Sequence, residues 1–170
     1  MFHLLLPLLL AGPARADEAL RARVVDLLSG LESSPSAADW SALGAGAEAE
    51  LLAIAADSSM LPTQRANALL ALGNFPTDRA HAMLSTTLGD ASANVLLRRK
   101  ACSGLAQGWG AAAVPALAAA LGDGDVQLRQ SAAGALAKVQ DPTAVEALRA
   151  RLAVETNASV KQVIEKAVKP

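Results

Sequence analysis

The 170-residue chain has no tyrosine, two phenylalanines and two tryptophans, so aliphatic side chains rather than aromatic rings must supply its core. Cys102 is the single cysteine, which excludes an internal disulfide and leaves the redox compartment open. Histidine is equally scarce: His3 and His81 are the two present, and His3 lies in an opening stretch that reads as removable, which leaves His81 no second histidine for metal-ligand spacing. Strand formers are few. Neither sign of charge dominates, since the formal net charge is −1, and this balance offers no footprint for nucleic acid or an anionic membrane. Long apolar runs are missing too. The opening stretch from Leu4 to Leu10 falls far short of the roughly 20 residues that span a bilayer.

That opening stretch has a different reading. It is followed by Ala14-Arg15-Ala16, a small-x-small pattern of the kind cleaved by signal peptidase, so residues 1–16 are expected to be a removable leader with Asp17 as the first mature residue. No cysteine stands at the cleavage point to carry a lipid, and the region before the apolar run has no Lys or Arg. The mature chain is expected to be exported, periplasmic or extracellular, with no membrane insertion once the leader is gone.

What is abundant is alanine and leucine, the two leading helix formers. They are arranged in a repeat. Pro62 to Leu70, Leu97 to Leu105, Leu128 to Leu136 and Val160 to Val168 share one template, apolar at i, i+4, i+7 and i+8, which is a stripe on one helix face. With Ala66 as reference, equivalent positions fall at Ala101, Ala132 and Ile164, at a nearly constant period. A second template lies between: Leu51/Ala55, Leu84/Leu88, Leu117/Leu121 and Leu148/Leu152 recur at the same period. On this alignment the first clear repeat carries a short insertion, placed in the turn between Gly73 and Asp78.

Turn chemistry marks the boundaries. Gly73, Gly89, Gly108 and Gly122 fall near expected helix ends, where glycine takes the left-handed cap. Thr77, Asp90, Asp125 and Asp141 precede expected helix starts, and Pro142 suits a first helical position. Ahead of the regular repeats, 17–31 reads as one helix broken by Ser33-Ser34-Pro35-Ser36, and 36–43 with 47–57 complete a degenerate first repeat over 17–58. Clearer repeats occupy 59–157, and 158–169 forms a capping helix whose Lys161, Gln162, Glu165, Lys166 and Lys169 face solvent.

The motif [Val/Leu]-Arg-x-x-Ala-x-x-Ala-Leu, a turn, then Ala-Val-x-x-Leu-x-x-x-Leu-x-Asp resembles the HEAT repeat, particularly its short bacterial form related to phycobilisome lyases. Leu128 to Leu136 and Ala113 to Asp123 match it best, and the likeness covers about 60–170. The resemblance implies an all-α fold of the armadillo type: a right-handed α-solenoid of about four to five antiparallel helix pairs. It implies no activity, because one repeat scaffold serves many tasks.

Each chemistry-bearing residue also has a structural reading. His81 takes the register of Val114 and Val145 and is expected to be a partly buried, hydrogen-bonded core residue. Cys102 aligns with Ala133, as a small packing residue would. Asp123-Gly124-Asp125 is a fragment of a calcium loop without the remaining ligands, so a capped turn is expected. Arg98, Arg129 and Lys161 share a template position and should form a basic row. A structural ladder paired with acids such as Asp78 and Asp141 is favoured over an anion-binding stripe. Phe75 and Trp109, in turns of adjacent repeats, would make an exposed aromatic edge for a partner or fold back as caps. Asn157-Ala158-Ser159 is a formal glycosylation sequon, a pattern that arises often by chance.

These readings point to a non-enzymatic module that binds an unidentified protein or peptide, with no cofactor and no metal. Its binding surface would be the concave, second-helix face, lined by Glu146 and Arg149, or the turn edge with Phe75 and Trp109. The rival is an enzyme on the same scaffold. The HEAT-like families contain a di-iron hydroxylase, which needs several His-Glu pairs, and bilin lyases, whose chromophore handling matches no residue here. A spacer in an envelope complex is the third reading.

Overall fold

Capping side chains, prolines and glycines cut the chain into short helices. The structure, a computed structural model, describes residues 13–30 and 35–169, with the backbone alone for 13–16. The helices are α1 (Pro13–Ser29), α2 (Ala37–Ser41), α3 (Ala47–Ala56), α4 (Pro62–Ala71), α5 (Asp78–Gly89), α6 (Val95–Trp109), α7 (Val114–Ala120), α8 (Val126–Lys138), α9 (Pro142–Val154) and α10 (Ala158–Val168). Short 3-10 turns, Leu72–Asn74 and Gly110–Ala113, extend α4 and precede α7, and no strand occurs among the described residues. The expected leader lies outside the described residues apart from 13–16, whose backbone forms the first turn of α1.

Several starts are made by the side chains expected. Thr77 accepts from the Ala80 amide, Asp125 from Leu128 and Asp141 from Thr143, with Pro142 at the first position of α9. Asp90 is different. It closes the end of α5 and accepts from the Ser92 amide at 2.8 Å, while Asn94 caps α6. The second helix of the degenerate repeat is one short turn, capped reciprocally by Ser36 and Asp39.

Two rows result. The first-template helices α4, α6, α8 and α10 pack directly on one another, while α3, α5, α7 and α9 form a second row, each lying against the first-row helix that follows it. Second-row helices touch each other only sparingly. Val24, Trp40, Leu51, Leu69, Leu84, Leu105, Leu117, Leu136, Leu148 and Ile164 run through the stack as one continuous core, each fully buried leucine contributing roughly 1.5–3 kcal/mol.

Burial corrects the register of the first clear repeat. The buried set of α6, Leu97, Arg98, Ala101, Cys102, Gly104 and Leu105, recurs one repeat later in α8 as Leu128, Arg129, Ala132, Ala133, Ala135 and Leu136. In α4 and the turn that follows, the matching buried residues one repeat earlier are Ala68, Leu69, Ala71 and Leu72. Ala68, not Ala66, is therefore the counterpart of Ala101. With that shift, the steps from Leu72 to Leu84, Leu105 to Leu117 and Leu136 to Leu148 become equal in length, and the extra residues move from the Gly73–Asp78 turn to the loop between α5 and α6, where Leu88 to Leu97 is longer than its counterpart Leu121 to Leu128. Both alanines are buried, which is why the pattern alone chose the wrong one.

The glycines are also used differently from expectation. Positive φ occurs at Gly44 (81°) and Gly110 (51°), not at Gly73, Gly89, Gly108 or Gly122. Gly73 and Gly104 instead permit contact between backbones: a Cβ on Gly104 would stand 2.7 Å from the Leu69 carbonyl oxygen, and one on Gly73 would stand 2.8 Å from that of Gly104. Here α4 and α6 meet main chain to main chain.

Candidate functional site

The sequence placed candidate residues on the loop edge, the turn edge and the second-row face, and the structure treats the three differently. On the loop edge, Arg98 and Arg129 are buried and paired. Arg98 donates from Nε to the Leu88 carbonyl at 3.0 Å, near the end of α5, and from Nη2 to Asp123 at 2.7 Å. Arg65 repeats the first of these bonds, Nε to the Ala55 carbonyl at 3.1 Å near the end of α3, so it belongs to the same row under the corrected register. A cation at the carbonyl end of a helix is favourably placed against the helix dipole.

Arg129 makes the most complete rung. Its Nε and Nη2 grip both oxygens of Glu155 at 2.9 and 3.1 Å, and Nη1 donates to the carbonyls of Asp123 and Gly124, each at 3.0 Å. Glu155 also accepts from Arg151 and from the amides of Thr156 and Asn157. The Arg129 guanidinium, then the Asn157 amide and Arg151, hold the Glu155 carboxyl well below the usual carboxylate range. The hydrogen bonds to Glu155 push Arg129 upward in turn. Asp123 is held low chiefly by the Asp125 amide and secondarily by Arg98.

At Arg98 and Arg129 the row forms ion-paired rungs, and their acids are Asp123 and Glu155 rather than Asp78 and Asp141. Asp141 is occupied in capping α9, where it bonds the Thr143 amide and hydroxyl, and Asp78 is exposed in the first turn of α5. Lys161, the third member, is half-buried and has no carboxylate within ion-pair distance among the described residues.

On the turn edge, Phe75 and Trp109 are not an exposed aromatic pair. Both are partly buried against the core. Trp109 meets the ring of His81 edge to face, centroids 5.1 Å apart, so it folds back between α6 and α5. His81 is partly buried, as its register suggested, but among the described residues its ring makes no hydrogen bond and meets Trp109 instead. On the second row, Glu146 and Arg149 are exposed on α9.

Cys102 is completely buried and its burial pushes the thiol up to about 12, the opposite of an activated nucleophile. Asp123 and Asp125 serve the turn before α8, and no group of three His, Cys, Asp or Glu side chains converges as a metal site among the described residues. Asn157 of the sequon caps α10, accepting from Ser159 and Val160. A shallow cleft of about 200 Å³ between α1 and α2 is lined by Arg23, Asp26, Leu27, Asp39, Ala42 and Leu43. No helix among the described residues is long and apolar enough to cross a membrane.

Glu155 and Trp40 were missed by sequence reasoning. Trp40 is 2 % exposed and fills the irregular first layer. Its signal was available, since an isolated tryptophan among small residues rarely stays in water. Glu155 had none beyond its place in the loop after α9.

Stacked helix pairs with a continuous leucine core and arginine rungs at Arg65, Arg98 and Arg129 define an α-solenoid. Residues 88–169 match the family model of HEAT repeats. Among solved structures, human deoxyhypusine hydroxylase in complex with glycerol is similar, with TM-score 0.59 and 22 % identity over 91 % of this chain and 63 % of that one. This chain therefore spans less than two thirds of the hydroxylase's length. An engineered protein matches with TM-score 0.56 and 21 % identity over 91 % of this chain and 73 % of that one. A designed armadillo repeat protein in complex with the peptide (KR)4 matches with TM-score 0.53 and 20 % identity over 94 % and 77 %. At these identities the likeness is one of fold alone. Comparison with curated protein sequences gave no match.

Proposed function

We propose that the protein is a non-enzymatic scaffold that binds a protein or peptide, exported after loss of residues 1–16. One observation carries the reading: the interior ionisable groups, Arg98, Asp123, Arg129 and Glu155, use their hydrogen bonds to join successive layers, while repeated helical faces are left to solvent. Cys102 supports it, because a buried thiol with a raised pKa is a poor nucleophile. The armadillo neighbour in complex with a peptide is consistent with the same use of such a fold.

The test is capture of the tagged full-length protein from its own cells with crosslinking, together with the intact mass of the exported form. A stoichiometric protein partner and a mass matching an Asp17 start are expected. A specific hydrolase, transferase or lyase activity of the purified chain, bound metal on elemental analysis or a visible absorption band would replace this reading with the enzymatic one.

A further inference from the structure

Charge is sorted between the rows. α4, α6 and α8 contain no Asp or Glu, and α10 contains one, Glu165, against Arg65, Arg98, Arg99, Lys100, Arg129, Lys138, Lys161 and Lys166 on the same four helices. The acids lie mostly in the loops and on the second row. Two of the first-row cations, Arg98 and Arg129, are buried in the ladder. Arg99, Lys100, Lys138 and Lys166 occupy positions between the buried ones, the first two half-buried and the last two exposed. None has a carboxylate within ion-pair distance among the described residues. Arg99 is held by neutral oxygens, Nε to Ser131 at 2.9 Å and Nη1 to Gln127 at 3.0 Å. Its guanidinium is therefore fixed in place across α6 and α8 with its charge uncompensated.

Between these cations the face is low and polar. Ser103 and Gly134 hold equivalent positions at its centre, and a Cβ on Gly134 would meet nothing within 4 Å. Gln130 and Gln162 are exposed beside them and offer amide groups suited to a peptide backbone. Neighbouring helix axes lie about 8–10 Å apart and an extended chain rises about 3.3 Å per residue, so a strand crossing the row meets one helix about every three residues.

We propose that the outer face of α6, α8 and α10 binds an extended acidic peptide segment, with carboxylates about every three residues meeting Arg99, Lys100, Lys138 and Lys166. This rests on the scaffold reading and names the face and the chemistry of the partner. A peptide is favoured over nucleic acid because four dispersed cations without an exposed aromatic make a poor strand-binding groove, which relies on base stacking.

The test is fluorescence anisotropy with the full chain and a labelled peptide of about 12 residues carrying Glu at every third position. The Gln version of the peptide, a single-stranded oligothymidylate of matching charge and phosphatidylserine vesicles are run alongside. Saturable binding of the Glu peptide is expected, weakened by added salt. It should fall at least about tenfold in K100Q/K138Q/K166Q, whose side chains lie outside the buried ladder and leave the thermal melt unchanged, and stay unaltered in R79Q, at an exposed position of α5. Absence of saturable binding, equal binding by the triple variant, or tighter binding of the oligonucleotide or vesicles would overturn the proposal. A partner captured from cells that still binds the triple variant keeps the scaffold reading and sinks this one.

Discussion

The two ends of the stack are tied by the same chemistry under different exposure to water. Near the N-terminus, Arg21 reaches Glu50 at 3.2 Å and Asp57 at 3.4 Å, with side chains 39 %, 21 % and 34 % exposed. Toward the C-terminus, Arg129 grips Glu155 through two bonds with side chains 9 % and 0 % exposed. An exposed pair is screened and mobile and adds little, whereas a buried pair makes any arrangement that separates its partners costly. The first layer, irregular and plugged by Trp40, holds together mainly by apolar contact. The last layers are locked in register by charge.

Removing one member of the buried pair should have the largest effect. Glu155→Ala leaves Arg129 and two amides without their acceptor and should cost about 3–5 kcal/mol in urea unfolding, a large part of a domain's total. The same carboxylate sets the acid response. Its folded pKa lies below its unfolded value, so its contribution is complete above the ordinary carboxylate range and is lost as pH falls through and below that range. Urea midpoints should therefore drop on acidification, and Glu155→Gln should flatten that slope. A full slope in the variant would assign it to other carboxylates.

Intermediate effects compare two glycines of the first row. Gly104→Ala drives a methyl into the Leu69 carbonyl and should destabilise by about 1–3 kcal/mol, whereas Gly134→Ala, open to solvent within a helix, should stabilise by up to about 1 kcal/mol. Equal behaviour of the two in thermal melts would contradict main-chain contact between α4 and α6. Losing a cap is smaller: Asp125→Ala should cost about 1 kcal/mol by the same measurement. Smallest of all is Arg21→Met, expected to leave the urea midpoint nearly unchanged.

The solenoid was legible because leucine and alanine periodicity reports burial, and burial is what stacking requires. Caps such as Thr77, Asp125 and Asp141 were legible because their bonds are local. The failures share a cause: they depend on what another layer does. Ala66 and Ala68 are both alanine, so the half-turn error in register was invisible until the buried faces were compared. Gly73 and Gly104 carry no mark distinguishing a left-handed cap from a close approach. Glu155 is a lone acid beside a sequon, and only the incoming Arg129 gives it a role. Phe75 and Trp109 lie in the expected turns, but their direction, inward against His81 in the case of Trp109, is set by packing.

The claim on which the rest depends is that buried Arg–acid rungs lock successive layers together. A double-mutant cycle on Arg129→Met and Glu155→Gln, read by urea unfolding at neutral pH, measures it directly. The expected coupling is about 1.5 kcal/mol or more, as found for close charge pairs shielded from solvent. Additive effects of the two substitutions would contradict it.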